Sequence, residues 1–117
     1  MPVDGPLPGD RILICQPRWL RLLLSGEKTL ECRATNFKPG RYLLESQGVV
    51  HAVAHLGGTI AVEHEKDWVR LRRFHKMQDR SPPWRPFTYV FHVSILKRVR
   101  VQFRHPRGAL SIVVYRP

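Results

Sequence analysis

The stretch LLLSGEKTLECRAT, Leu22–Thr35, contains the end of a predicted helix and the start of a predicted strand. The helix is PRWLRLLLS: Pro17 suits its first turn, and Gly26 suits the left-handed position just past its end. From residue 29 onward polar and apolar side chains alternate, which is typical of a strand with one buried face. The segment therefore predicts a sharp helix-to-strand corner, with Lys28 at the joint.

The predicted strand at this corner has two faces of different character. Its apolar face is expected to be buried and its polar face to lie away from the apolar core; the first holds Leu30, Cys32 and Ala34, and the second holds Thr29, Glu31, Arg33 and Thr35. Glu31 and Arg33 project from the same face, so each can fix the conformation of the other. The alternative is a solvated ion pair that stabilises the fold by only ~0–1 kcal/mol.

The remainder of the chain predicts further strands and one more helix. Strand patterns occupy residues 11–16, 41–46, 49–56 continuing to 64 beyond Gly57-Gly58, 87–103 and 109–115, and a helix pattern covers 65–77. Short, evenly spaced strands favour a curled sheet or barrel. We expect an α+β fold, a small β-barrel of about six strands closed by two helices, over residues 11–117, preceded by a flexible leader at 1–10.

Length and composition limit the classes of protein. The 117 residues suit one domain, and no apolar run approaches the ~20 residues of a membrane span. The two cysteines lie in apolar runs and are predicted to be buried thiols, which suits an intracellular protein of the cytoplasm or nucleus. His51 and His55 share a strand face, but four residues along a strand cover ~13 Å. We therefore expect neither a metal nor a cofactor.

Charge indicates a polyanionic partner. The formal net charge is +11, yet residues 80–117 contain eight basic residues and no acidic one. Such an imbalance favours RNA or single-stranded nucleic acid over a membrane, the alternative being a charge that only keeps the protein soluble. The predicted backbone-binding cations are Arg98, Arg100, Arg104 and Arg107. Trp84, in a proline-rich loop, is a candidate either for stacking on a base or for anchoring that loop.

Two groups of residues resemble the ASCH domain (activating signal cointegrator homology), a family of the PUA-like superfamily of small β-barrels. The first is Gln16-Pro17 at the helix start followed by Gly26-Glu27-Lys28-Thr29-Leu30-Glu31-Cys32-Arg33 at the corner; the second is PPWRPFTYVFHV with HPRGALSIVVY near the end. The family often carries an aromatic residue directly after Gln-Pro, whereas here Arg18 precedes Trp19. The similarity extends over about residues 11–116.

The resemblance implies a cleft beside the first helix that holds RNA or a nucleobase. Its matching residues are Lys28, Thr29, Glu31 and Arg33, and the helix stripe expected to form one wall of the cleft contains Arg18, Arg21 and Ser25. We expect Lys28 to emerge at the surface, contact an anionic group and bury little.

An enzymatic alternative follows from the same resemblance. Some similar bacterial proteins are acetylcytidine amidohydrolases that use the motif lysine, a threonine three residues later and a glutamate from the later helical region; others are ribonucleases. If this chain is a hydrolase, the residues are Lys28, Glu31 and Glu65. Glu31 stands where the amidohydrolases carry a hydroxyl, which favours binding over catalysis.

Overall fold

The computed structural model describes residues 3–104 and 112–116, which form seven strands and three helices. The strands are β1 (Arg11–Ile14), β2 (Leu30–Arg33), β3 (Gly40–Ser46), β4 (Val49–Leu56), β5 (Ile60–Val62), β6 (Thr88–Gln102) and β7 (Ile112–Val114); the helices are α1 (Pro17–Ser25), α2 (Glu65–Arg70) and α3 (Arg72–His75). The predicted α+β class, with helices packed on a curled sheet, is confirmed. The predicted second helix is divided at Leu71, and the segment after Gly57-Gly58 forms a strand of its own.

The long strand β6 pairs with three other strands, β2, β4 and β5. The strand order is β2-β6-β4-β3-β1-β7, and β5 also pairs with β6. The first residues of β6 pair with β2 and β5, whereas its later residues pair with β4 through two register shifts. Such irregularities bend a strand and increase its twist, so β6 carries the curl of the sheet.

Helix α1 connects β1 to the rest of the sheet and turns the chain towards β2. Its buried residues Leu20 and Leu23 pack into a core cluster with Tyr42 and Phe91. Gly26 has φ 83°, and its N–H donates to the carbonyl of Leu23, as the sequence predicts for a glycine past the helix end. Any side chain here would be strained, so this glycine fixes the direction in which the corner leaves the helix.

Burial at β2 differs from the expected pattern. Cys32 is buried and Leu30 partly buried, but Ala34 is exposed because β2 ends at Arg33 and Ala34 already lies in a bend. The expectation that Glu31 lies away from the core is wrong, since its residue is only 4% exposed. Both faces of β2 are covered: Cys32 packs in the cluster around Trp68, while Glu31 pairs with Lys28 from the corner after α1 and with Arg33 at the end of β2.

Residues before β1 lie against the sheet. Asp10 accepts hydrogen bonds from Arg41, at 2.9 and 3.0 Å, and the N–H of Gly9 donates to the carbonyl of Tyr115. These contacts order the approach to β1, while the flexibility expected for residues 1–10 stays a prediction. Among the described helices none combines the length and the apolar character that crossing a membrane requires.

Candidate functional site

A cleft of about 570 Å³ opens between the start of α1, strand β2 and the turn that follows β2. The residues that line it come from four segments of the chain: Ile14, Cys15, Gln16, Arg18, Trp19, Glu31, Cys32, Arg33, Ala34, Thr35, Phe37, Met77 and Trp84. The cleft thus lies at the predicted helix-to-strand corner. It holds Glu31 and Arg33, while Lys28 and Thr29 are absent from its lining.

Lys28 is buried behind the cleft rather than exposed in it. Its side chain has no accessible surface, its Nζ donates to the backbone carbonyl of His75, and the same atom lies 3.6 Å from Glu31 Oε1 and 4.9 Å from the ring centre of Trp19. The expectation that Lys28 emerges and buries little is wrong. The N–H of Lys28 donates to the carbonyl of Leu22, which draws the residue back against α1.

The environment of Lys28 lowers its pKa. Burial is the main cause, because it disfavours the charged ammonium, and the nearby carboxylate of Glu31 only partly opposes this effect. A buried lysine with these neighbours is a structural cation held by polar partners. Its lowered pKa is also what lysine chemistry would require.

Glu31 fixes the orientation of Arg33 at the cleft wall. Glu31 Oε1 accepts a hydrogen bond from the N–H of Cys32 at 3.0 Å, and Oε2 accepts one from Arg33 Nη2 at 3.2 Å. The same Arg33 nitrogen donates to the carbonyl of Ile14 at 2.9 Å. Within the described residues the hydrogen bonds of Arg33 thus use Nη2, which leaves Nε and Nη1 as donors for a ligand.

Aromatic rings form the apolar part of the cleft. The guanidinium of Arg18 lies 4.0 Å from the ring centre of Trp19, a distance typical of a cation–π contact. Phe37 contacts Phe91 edge to face, with ring centres 5.8 Å apart. Trp84 lines the cleft and also packs against the core cluster that contains Cys32, as expected of a ring that anchors its loop; stacking on a base stays a prediction.

The two cysteines of the cleft are poor nucleophiles. Burial raises the pKa of Cys15 to about 12, and the nearby Glu31 adds to the effect. Burial also raises the pKa of Cys32 to about 12, against the opposing influence of Lys28. With these raised pKa values, both side chains remain protonated thiols at neutral pH. The thiolate is the reactive species, so the two cysteines serve as packing.

His75 is a buried neighbour of Lys28 that the sequence analysis did not identify. Its ring stacks on Trp68 with ring centres 3.9 Å apart; Nδ1 accepts from the N–H of Met77, and Nε2 contacts the carbonyl of Trp68 at 3.0 Å. Burial lowers the pKa of His75, so the neutral ring donates from Nε2. The spacing of Trp68 and His75 in the helix pattern indicates a shared face, but not that the His75 carbonyl receives Lys28.

Some predicted site residues lie elsewhere. Arg21 and Ser25 line a second groove on α1, whereas Arg18 lines the cleft. The expectation that Arg18, Arg21 and Ser25 form one wall of the cleft is therefore wrong. The reason is that side chains about one turn apart on this helix lie beside different cavities. Thr29 is engaged through its backbone, with its N–H donating to Phe74 and its carbonyl accepting from Val93.

The remaining predicted positions are exposed or undescribed. Arg98, Arg100 and Arg104 are exposed, whereas Val99 and Val101 are partly buried and Phe103 is buried, as the alternation predicts. Arg107 lies outside the described residues. Glu65 is exposed, pairs with Arg80 at 3.4 Å and does not line the cleft. Across residues 3–104 and 112–116, no group of three or more His, Cys, Asp or Glu side chains is placed to hold a metal ion.

Three crystal structures of a bacterial protein share this fold. The chain aligns with the crystal structure of ASCH from Zymomonas mobilis at a TM-score of 0.71 and 16% identity, over 92% of this chain and 88% of that one. Crystal structures of two point mutants of that protein, one serine-to-alanine and one tyrosine-to-phenylalanine, align at the same TM-score, with 15% and 16% identity, over 94% and 92% of this chain and 92% and 91% of theirs. No protein-family model and no curated protein matches the sequence. The ASCH-type fold that the sequence predicts is thereby confirmed.

Proposed function

We propose that this chain, which has the ASCH fold, binds RNA or another single-stranded nucleic acid and holds one nucleotide in the cleft at the helix-to-strand corner. The observation that carries the proposal is Arg33, held by Glu31 and Ile14 in a cleft whose lining includes Trp19 and Trp84. Its Nε and Nη1 make no hydrogen bond to any residue that the structure describes. Aromatic rings stack on any base, and an oriented guanidinium hydrogen-bonds to a base edge or to phosphate. Lys28 supports this arrangement from behind by holding Glu31.

A second surface supports a polyanionic ligand. Arg98, Arg100 and Arg104 alternate with Val99, Val101 and Phe103, and the latter pack in a core cluster on the other face of the strand. Because the apolar side chains pack on one face and the arginines lie on the other, the three guanidinium groups are available to phosphates. The positive charge of these arginines also attracts RNA from solution, because the sequence contains no acidic residue after position 79.

Arg33 provides the decisive test. The variant Arg33→Gln removes the cationic donor from the cleft, whereas Arg70→Gln removes an equal charge from the exposed surface of α2. Anisotropy of a labelled single-stranded RNA should show about tenfold weaker binding for Arg33→Gln, the usual effect of losing a charge-assisted hydrogen bond, and little change for Arg70→Gln. Equal effects of the two variants would show that the cleft does not hold the nucleotide.

A hydrolase acting on a modified nucleoside or on RNA is the second candidate, and one observation favours it. Lys28 is buried with a lowered pKa behind the cleft, next to Glu31, which lines it. Against it, Lys28 does not line the cleft, Glu65 is exposed on α2, and no hydroxyl occupies position 31. Incubation with N4-acetylcytidine decides between them: release of cytidine by the wild type, abolished in a folded Lys28→Met variant, would establish the enzyme.

The expected location is intracellular, in the cytoplasm or the nucleus. Two buried, unpaired cysteines support this proposal, because such thiols persist in reducing compartments. Fractionation of cells that express the tagged protein would test it.

A further inference from the structure

A second groove lies on α1, separate from the cleft described above. It encloses about 390 Å³, and its lining comes from the helix, from the β3–β4 hairpin and from β6: Pro17, Leu20, Arg21, Leu24, Ser25, Ser46, Gln47, His51 and Arg98. It shares no lining residue with the first cleft. Apolar side chains from α1 line it together with polar groups from the strands.

Basic side chains from three elements line this groove. Arg21 comes from α1, His51 from β4 and Arg98 from β6, and Arg100 lies close enough to His51 to act on its charge. The neighbouring acidic group is Glu45, which accepts a hydrogen bond from the N–H of Gly48. The balance of charge around the groove is positive, which suits an anion.

His51 reaches the groove through an irregularity of the sheet. The pairing of β4 with β6 shifts register between Val50 and Ala52, so His51 lies at the bulge. Bulges redirect a side chain away from the regular alternation. His51 is partly exposed and lines the groove beside Arg98, which is the pairing partner of Ala52.

The groove also contains a buried hydroxyl that lacks a partner. Ser46 is 4% exposed, and its Oγ makes no hydrogen bond with any residue in the ranges 3–104 and 112–116. Leaving such a group unpaired is unfavourable, so buried hydroxyls generally have a partner. A ligand oxygen in the groove would supply that partner.

We propose that this groove is a phosphate-binding site in which Arg21 and Arg98 contact the phosphate and Ser46 Oγ and His51 donate to its oxygens. The inference rests on the proposed function where the phosphate belongs to RNA, but the same donors fit inorganic phosphate. Two guanidinium groups and a hydroxyl match the negative charge and the several acceptors of a phosphate group.

Phosphate should change the protonation of His51. Its pKa is lowered by burial and by Arg100 and Arg98, while Glu45 acts in the opposite direction. Arg21, the other charged group that lines the groove, adds to the positive surroundings. A bound dianion offsets these cations, so the pKa of His51 should rise when phosphate is bound.

NMR of the His51 ring during titration with sodium phosphate tests the site. At matched ionic strength, phosphate should shift the His51 signals saturably and sodium chloride should not. Ser46→Ala and Arg98→Gln should each weaken phosphate binding about tenfold, whereas Arg70→Gln on the exposed surface of α2 should not change it. Equal shifts from chloride and phosphate, or no effect of Ser46→Ala and Arg98→Gln, would overturn the proposal.

Binding of RNA oligonucleotides with and without a 5′-phosphate shows whether the groove takes a terminal or a backbone phosphate. If a 5′-phosphorylated oligonucleotide binds more tightly than its 5′-hydroxyl form, and Arg98→Gln removes the difference, the site takes a terminal phosphate. If Arg98→Gln weakens both forms equally, while Lys66→Gln on α2 has no effect, the site takes a backbone phosphate. Phosphate binding at His51 without RNA binding would retain the groove and refute the proposed function; RNA binding unaffected by Arg98→Gln would refute the groove as an RNA contact.

Discussion

Lys28 Nζ donates to the backbone carbonyl of His75, and this hydrogen bond joins the corner after α1 to the end of α3. The ring of His75 is itself stacked on Trp68 and bonded at both nitrogens, so the carbonyl is held in place. Lys28 therefore links three structural units: the corner, the short helices and, through Glu31, the wall of the cleft. Its position explains why a lysine, a glutamate and an arginine lie so close together.

Replacing Lys28 should destabilise the protein strongly. Lys28→Met retains most of the side-chain volume but removes the donor to the buried His75 carbonyl and leaves Arg33 alone, among the described residues, to pair with the buried Glu31. Breaking a buried pair on one side usually costs about 3–5 kcal/mol. Chemical denaturation should show a decrease of this order in the free energy of unfolding. An exposed lysine offers the matched control: Lys66→Met on α2 should change stability by less than about 0.5 kcal/mol.

The double variant Lys28→Met/Glu31→Gln should recover part of this loss. The amide of glutamine at position 31 carries no charge, so it does not need the cation of Lys28. The double variant should therefore lose less free energy of unfolding than the sum of the two single losses, with a coupling energy of about 1–3 kcal/mol. A purely additive result in the double-mutant cycle would show that Lys28 and Glu31 do not stabilise each other.

RNA affinity should fall with salt, and the three exposed arginines should account for part of the slope. For single strands the slope of log affinity against log salt is about −0.7 per neutralised phosphate, so changing Arg98, Arg100 and Arg104 to Ala should flatten it by roughly two units. The control triple, Lys66, Arg70 and Arg73 to Ala, removes equal charge from the exposed surface of α2 and α3. An unchanged slope in the arginine variant would show that these three arginines do not contact the RNA backbone.

Trp84 should contribute stacking to RNA binding beyond its packing role. Trp84→Leu keeps an apolar side chain against the Cys32 cluster, so the melting temperature should change little, while RNA affinity should fall by about 1–3 kcal/mol if the indole stacks on a base. Phe74→Leu on α3, a change of similar kind at an exposed ring, should leave affinity intact. Normal RNA binding by Trp84→Leu would make Trp84 only a loop anchor.

Stability should depend on pH through the buried His75. The pKa of His75 is lowered in the folded state below the ordinary value of 6.5, so the unfolded chain binds more protons in mild acid. The free energy of unfolding should therefore be highest above about pH 6.5 and fall as the pH decreases below it. His75→Phe can stack on Trp68 without titrating; it should be less stable near neutral pH but show a shallower loss as the solution is made mildly acidic, measured by denaturation at each pH.

The sequence predicted α1, its glycine end and the curled sheet because these depend on local periodicity and turn residues, as Pro17 and Gly26 illustrate. It also located the cleft, through the corner motif. It could not predict the burial of Lys28 and Glu31, because alternation within one strand does not reveal what covers its polar face. Here Lys28 is covered by Trp19 of α1 and by the end of α3 at His75, which is far from the corner in sequence, and Glu31 lies against Lys28.

The pairing of β1 with β7 has a consequence for the order in which a newly made chain folds. Leu13 pairs with Ile112 and Arg11 with Val114, so β1 leaves the ribosome long before its partner strand has been synthesised. During synthesis β1 can pair with β3 on one side, while its other edge remains open. That edge of β1 can therefore close only after Ile112–Val114 has been synthesised.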